Sequence, residues 1–250
     1  TAYDMLSGDW SLDVCYSDLI PNIGHIDLDS DLKHRIIDVL RCNEGEELEV
    51  IDGKGRLAKA VVSGKGKNIF LDIKEVKDIK KEGRQIIVAV SVIRRERFDM
   101  MVEKAVELGA DKIIPFVCER SRPYGKDAYD KLKDRWQRIA DQALSQCKRL
   151  FRCNVTDVHE LEDLIKQIQP NTQLFALDPY KEKGFFIPSL IKKDKDVLCV
   201  IGPEGGFTEQ ELKIFEKANF GFYVLTNNIL RAETAAMYAL SVINVSNVSW

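Results

Sequence analysis

Residues 197–212, "VLCVIGPEGGFTEQEL", pass from an apolar run through a glycine turn into an acidic helix start. The run "DVLCVIG" (196–202) is nearly continuous in apolar residues, as in a strand buried on both faces of a parallel sheet. Thr208 and Glu211 have the T-x-x-E spacing of a capping box, so a helix begins there. Gly205 and Gly206 permit positive φ or close approach of the backbone to a ligand. Ligands of open α/β sheets bind beyond the carboxyl ends of strands, which makes this turn a candidate site. Phosphate fits it poorly, because Glu204, Glu209 and Glu211 surround the glycines and the stretch holds no lysine. A ligand with an adenosine-like body and a positive or neutral centre fits better. S-adenosylmethionine is one such ligand; an ordinary strand-to-helix turn would use the same residues.

The chain around this stretch has the same rhythm. "IIVAVSV" (86–92), "KIIPFV" (112–117), "TQLFAL" (172–177) and "FYVL" (222–225) read as strands. Between them lie a helix in "RFDMMVEKAVELG" (97–109), a long one around 127–149, one from 209, and a final one. In the first of these, Phe98, Met101, Ala105 and Leu108 share a face and Gly109 sits where a helix ends. Strands alternating with helices imply a mostly parallel sheet with both faces covered. Two further strand ends should lie beside the glycine turn: "ALDPY" (176–180) and "LTNNILRAET" (225–234).

The final helix carries Ala232, Ala235, Ala236, Ala239, Leu240 and Ile243 on one narrow face, suited to close packing against a sheet or a partner helix. Arg231, Glu233 and Thr234 stand at its start, where a strand-end crevice would open.

Up to about residue 83 the style differs. Short alternating apolar runs are split by Asp52-Gly53 and Lys65-Gly66 turn signals, the pattern of a small antiparallel sheet or barrel. One amphipathic helix precedes them in "DSDLKHRIIDVLR" (29–41), with Leu32, Ile36, Val39 and Leu40 on one side. The charged stretch "EVKDIKKEGRQ" (75–85) marks the domain boundary, giving domains 1–83 and 84–250.

Composition excludes some classes. At 45% hydrophobic and 31% charged residues, the chain reads as an ordinary globular protein, and no apolar run approaches bilayer length. The opening residues show no basic region followed by an apolar core, so no secretory signal is expected. Six cysteines without a CxxC pair and three scattered histidines give no metal spacing, and fit reduced thiols in the cytoplasm. The net charge of −3 argues against a nucleic-acid coat protein but leaves room for local basic faces. The candidates are "RRER" (94–97), "CERSRPYGK" (118–126) and "CKRLFR" (147–152), though each taken alone reads first as solvated surface.

"IGPEGGFTEQEL" followed by "LRAETAAMYAL" resembles the signature of the RsmE-type family, bacterial methyltransferases of uridine N3 in small-subunit ribosomal RNA. The likeness extends to "HRIIDVLR" (34–41), "IDGKGR" (51–56), the block 98–121 and "RWQRIADQALSQCKR" (135–149), in the family's order. The first thirty residues match poorly. The resemblance implies an N-terminal PUA-like β-barrel for RNA and a C-terminal α/β SPOUT domain with a deep trefoil knot. It also implies a homodimer that binds S-adenosylmethionine in the knot, with ribosomal RNA or the assembled small subunit as partner and no membrane.

Carried over residue by residue, the cofactor lies against Leu177, Asp178 and Pro179; against Ile201, Gly202, Pro203, Glu204, Gly205 and Gly206; and against Leu225, Thr226, Asn227, Ile229, Leu230, Arg231 and Thr234. RNA contacts fall to His34, Arg35 and Arg41, and to Arg94, Arg95, Arg120 and Arg122. Arg231 and Glu233 match the family's Arg-x-Glu-Thr positions and are the catalytic candidates. Arg231 would stabilise negative charge on a uracil carbonyl oxygen, while Glu233 would orient Arg231 or take the N3 proton. Two rivals stand beside this: a SPOUT enzyme acting on another RNA atom, such as a ribose 2′-oxygen, and a non-catalytic RNA-binding or ribosome-assembly protein.

Overall fold

The computed structural model describes residues 14–17, 20–22, 24–64, 68–121, 124–181 and 184–246. The chain divides into two compact units, residues 1–81 with 144–152, and residues 82–143 with 153–250.

The first unit is built on strands β1 (Val14–Tyr16), β2 (His25–Asp27), β3 (Glu47–Ile51), β4 (Arg56–Ser63) and β5 (Phe70–Asp78), hydrogen-bonded in the order β1-β3-β4-β5-β2. All pairings are antiparallel except β1 with β3, a parallel pair supplied by the poorly matching start of the chain. In β4, Ala58, Ala60 and Val62 are buried on alternate positions, as one-sided burial of a strand requires. The helix expected over 29–41 is instead α1 (Ser30–His34) running into a π-helical turn, Arg35–Val39. The i→i+5 bond from Leu40 N–H to the Arg35 carbonyl widens that turn and rotates Val39 off the apolar stripe, leaving it 60% exposed beside buried Leu32 and Ile36.

Asp52 Oδ1 accepts from the N–H groups of Lys54 (2.7 Å) and Arg56 (2.9 Å), closing the turn that Asp52-Gly53 announced. The expected Lys65-Gly66 turn lies outside the described residues. Gly55 is needed in that first turn: at φ +108 a Cβ there would lie 2.2 Å from the Ile79 carbonyl. Residues 150–152 dock on the same turn through Gly55 N–H to the Leu150 carbonyl (3.1 Å) and Arg152 N–H to the Gly53 carbonyl (2.7 Å). Arg152 also lies 5.6 Å over the Tyr16 ring, so part of the basic run "CKRLFR" is built into this unit.

The second unit is an α/β layer structure. Strands β6 (Ile86–Ser91), β7 (Lys112–Val117), β8 (Asn154–Val155), β9 (His159–Glu160), β10 (Thr172–Leu177), β11 (Asp196–Ile201) and β12 (Gly221–Tyr223) are all paired in parallel. The order is β12-β10-β11-β6-β7-β8, with β9 also on β7. Helices α2 (Arg95–Glu107), α3 (Lys126–Gln146), α4 (Leu161–Lys166), α5 (Glu209–Lys217) and α6 (Ala232–Val245) accompany them. Every residue of β6 is buried, which explains its unbroken apolar run. The strand expected at 222–225 ends at Tyr223, because Val224 instead pairs with Phe185 in an isolated bridge.

The six small or apolar residues picked out on α6 are all buried, and the helix packs on α2, β6 and β11. Its C-terminal end is held by buried Arg84, which donates to the Lys192 carbonyl (2.8 Å), the Ile243 carbonyl (3.3 Å) and Ser246 Oγ. Burial pulls the Arg84 guanidinium pKa below its ordinary value.

Candidate functional site

Register brings the ends of three neighbouring strands level: Leu177 of β10 stands opposite Ile201 of β11 on one side and Tyr223 of β12 on the other. Beyond these ends opens a cleft. Its walls include Leu177, Asp178 and Pro179 after β10, Ile201, Gly202, Pro203, Glu204 and Gly206 after β11, and Leu225, Thr226, Ile229 and Leu230 after β12. The remaining expected cofactor residues, Gly205, Asn227, Arg231 and Thr234, do not line it. Gly205, Asn227, Arg231 and Thr234 are all exposed, with the stem of Arg120 beside Gly205. The sequence reading missed Tyr180, Tyr223, Val224, Asn228, Ala232 and Ala235. Tyr180 ends the quoted "ALDPY", and the two alanines belong to the narrow face of α6, so the signal was present for those three.

The glycine turn is closed by Gly206 N–H to the Pro203 carbonyl (2.9 Å), with Gly206 at φ +68. A Cβ on Gly206 would meet the Tyr180 ring at 3.2 Å, so the glycine permits both the turn and the close approach of that ring. The capping box is formed: Thr208 Oγ1 accepts from Glu211 N–H (3.4 Å) and Glu211 Oε2 from Thr208 N–H (2.8 Å). Glu211 Oε1 accepts from Glu119 N–H (2.8 Å), so this buried carboxylate joins two loops.

The acidic character of the cleft is therefore not that of three glutamates around a turn. Glu211 is spent on backbone N–H groups, and Glu209 is exposed and outside the lining. The carboxylates in the wall are Glu204, paired with Arg97, and Asp178. Asp178 is 2% exposed, and its Oδ1 accepts from the N–H groups of Tyr180 (2.8 Å) and Lys181 (3.1 Å), fixing the loop after β10. The mouth after β12 is shaped by Thr226 Oγ1, which accepts from Asn228 N–H (3.1 Å). Apolar strand ends, backbone groups and two carboxylates fit an uncharged ring system joined to a cationic centre.

The two catalytic candidates are placed differently. Arg231 is exposed at the N-cap of α6 and its guanidinium makes no ion pair among the described residues. Glu233 is 3% exposed and pairs with Arg97 Nε at 3.7 Å, not with Arg231. The expectation that Glu233 orients Arg231 is not met, because the cation beside it comes from α2. Sequence reasoning saw Arg97 only as part of the run "RRER".

Of the expected RNA contacts, His34, Arg35 and Arg41 lie in the first unit, with His34 Nδ1 2.7 Å from Asp38. Arg94 and Arg95 are exposed at the start of α2. Arg120 donates to the Gly205 carbonyl at 2.7 Å, and Arg122 lies outside the described residues. Among the described residues no group of three or more His, Cys, Asp or Glu is placed to hold a metal ion, and no helix is long and apolar enough to cross a membrane.

Comparison with known proteins agrees with this arrangement. The family model for the RNA methyltransferase domain matches residues 80–244, and that for the RNA methyltransferase PUA domain matches residues 29–74. The chain belongs to this RNA methyltransferase family. Among its relatives is the ribosomal RNA small subunit methyltransferase E of Bacillus subtilis, 31% identical over 84% of this chain and 86% of that one. The protein of that name from Aquifex aeolicus is 30% identical over 82% of this chain and 88% of its own. A ribosomal RNA small subunit methyltransferase E from Neisseria gonorrhoeae, solved bound to S-adenosylmethionine, superimposes with a TM-score of 0.84 at 25% identity, covering 94% of this chain and 97% of that chain. A putative methyltransferase from Legionella pneumophila, also solved with S-adenosylmethionine, gives 0.85 at 27% identity with the same coverage. The C-terminal α/β RNA methyltransferase domain and the N-terminal PUA domain that the resemblance implied are both borne out.

Proposed function

We propose that this protein methylates N3 of a uridine in small-subunit ribosomal RNA, using S-adenosylmethionine. The observation that carries the reading is the cleft at the level ends of β10, β11 and β12, in a chain whose relatives are named for that RNA and whose structural neighbours hold that cofactor. The cofactor supplies an electrophilic methyl group on a sulfonium. Leu177, Ile201, Leu225 and Leu230 offer its adenosine an apolar bed, the loop backbones offer hydrogen bonds, and Asp178 and Glu204 offer negative charge.

For the RNA, the protein's tasks are alignment and handling of one proton. The uracil N3–H bond breaks with its electron pair left on nitrogen, and Glu233, which follows the lining residue Ala232 in α6, is the carboxylate assigned to receive the proton. Arg231, exposed and without a carboxylate partner, is free to face the developing charge on a uracil carbonyl oxygen.

In this reading residues 1–83 form the RNA-binding PUA-like domain and residues 84–250 the catalytic domain, which carries the trefoil knot. Arg94, Arg95, Arg120 and Arg122 join His34, Arg35 and Arg41 as RNA contacts. The protein works as a homodimer in the cytoplasm, on ribosomal RNA or the assembled small subunit. The deciding experiment is methyl transfer from labelled cofactor to small subunits from a strain lacking the protein, followed by identification of the modified position. A label on uracil N3 is expected. A label on a ribose 2′-oxygen, or no transfer together with no cofactor binding by calorimetry, overturns the reading.

A further inference from the structure

Arg97 stands in the first turn of α2, and its side chain reaches carboxylates from two distant parts of the chain. Nη1 bonds Glu204 in the glycine turn, and Nε lies 3.7 Å from Glu233 Oε1 in the first turn of α6. The two carboxylates differ in setting: the Glu204 side chain is 51% exposed and that of Glu233 only 5%. The other oxygen of Glu233, Oε2, is buried and has no hydrogen-bond partner among the described residues. A buried carboxylate with an unbonded oxygen is costly unless a cation faces it or a ligand completes it. Arg97 supplies the cation, at a distance of attraction rather than a hydrogen bond. Ala232 and Ala235, in the same helical turn of α6, line the cleft, whereas Glu233 itself is buried behind the lining.

The geometry points to Arg97 as the positioning residue for Glu233, holding its buried carboxylate beside the cleft and leaving Oε2 as the oxygen that takes the uracil N3 proton. This rests on the functional reading above and narrows Glu233 to the role of proton acceptor. The charges support the assignment. One guanidinium between two carboxylates carries a net charge of about −1 with all three groups ionised. Transfer of the N3 proton forms an O–H bond on Glu233 and brings the three groups to neutrality, while the electron pair of the broken N–H bond stays on nitrogen. The second arm of Arg97, on Glu204, ties the wall of the cleft to the same cation.

The test places Arg97→Met and Arg97→Lys in the full chain and Arg97→Met again in a Glu233→Gln background. Single-turnover methyl transfer to small subunits, S-adenosylmethionine affinity by calorimetry and melting temperature are read for each. Arg97→Met alone is expected to slow transfer by about tenfold to a hundredfold, the scale of a misplaced catalytic group. Its cofactor Kd should stay within about threefold of wild type, which separates positioning from ground-state binding. In the Glu233→Gln background the same change should cost less than about threefold, because residues acting as a unit are not additive. Arg97→Lys should recover part of the lost rate. Arg97→Met should also lower the melting temperature more when Glu233 is present than when it is Gln, since it strands a buried charge.

Equal fractional losses of rate in both backgrounds overturn the proposal, as does a loss seen wholly in cofactor affinity. If the wild-type chain transfers no methyl group, the functional reading falls by itself. Unequal melting losses would then still support Arg97 serving the Glu233 carboxylate, and equal ones would overturn it.

Discussion

Arg120 donates a 2.7 Å hydrogen bond to the carbonyl of Gly205, and its Cδ lies where a Cβ on that glycine would come within 3.2 Å. The arginine that the sequence assigns to RNA thus also braces the turn that walls the cleft. Arg120→Ala removes one charge-assisted bond, about 1 kcal/mol at an exposed site, so cofactor Kd should rise roughly fivefold without any RNA present. Calorimetry with S-adenosylmethionine checks this directly. Unchanged affinity would leave Arg120 to RNA alone.

Gly206 joins a left-handed backbone, φ +68, to close contact with the Tyr180 ring. Gly206→Ala meets both obstacles, and the backbone part alone costs roughly 1–2 kcal/mol. The expected result is a lower melting temperature with cofactor affinity reduced about tenfold or more. A Tyr180→Ala, Gly206→Ala double variant separates the causes, because it relieves the ring contact and keeps the backbone strain. Wild-type affinity in the single variant would show that this turn is not a wall of the cofactor site.

What the sequence made legible was local or periodic. The unbroken apolar residues of β6 and β11 announced a parallel sheet, and Thr208 with Glu211 announced the start of α5. The small-residue face of α6 could be read because helical spacing depends on neighbours alone. Pairings between distant segments stayed hidden. Arg97 with Glu233, Arg120 with Gly205, and residues 150–152 on the Asp52–Gly55 turn depend on the finished fold. Val39 misled because a π-helical turn changes the angular step that the pattern assumes. Strands β8 and β9 were missed because each has two residues, too few to show alternation.

His159 in β9 gives a pH dependence of stability. Burial lowers its pKa from the ordinary 6.5, against a smaller opposing pull from the Asp157 carboxylate. The unfolded chain then takes a proton more readily than the folded one. The contribution is therefore fully present above pH 6.5 and declines as pH falls below that value toward the lower folded pKa. Asp157, whose pKa is lowered chiefly by the Lys133 hydrogen bond at 2.5 Å, loses its contribution further down, below about pH 4. In denaturant titrations across this range, His159→Gln should flatten the decline just below neutrality and leave the more acidic one in place. An unchanged slope near pH 6 would place that decline on another group.

Glu211 offers the sharpest test of how the turn is held. It is 7% exposed, and its two oxygens receive the N–H groups of Thr208 and Glu119, each at 2.8 Å. Glu211→Ala strands both donors, at a cost of about 2–3 kcal/mol in denaturant titration. Thr208→Ala removes only its long 3.4 Å half of the capping box, so about 1 kcal/mol is expected. Glu211→Gln should fall between them, because an amide keeps one acceptor oxygen and turns an NH2 toward the other donor. The same carboxylate joins the loop bearing Arg120 to the turn bearing Gly205, so Glu211→Ala should weaken cofactor binding as well as stability. Exposed Glu209, in the same helical turn but outside the cleft, supplies the control. Glu209→Ala should leave cofactor affinity unchanged, and an equal loss in both variants would mean that helix charge, not the buried carboxylate, holds the turn.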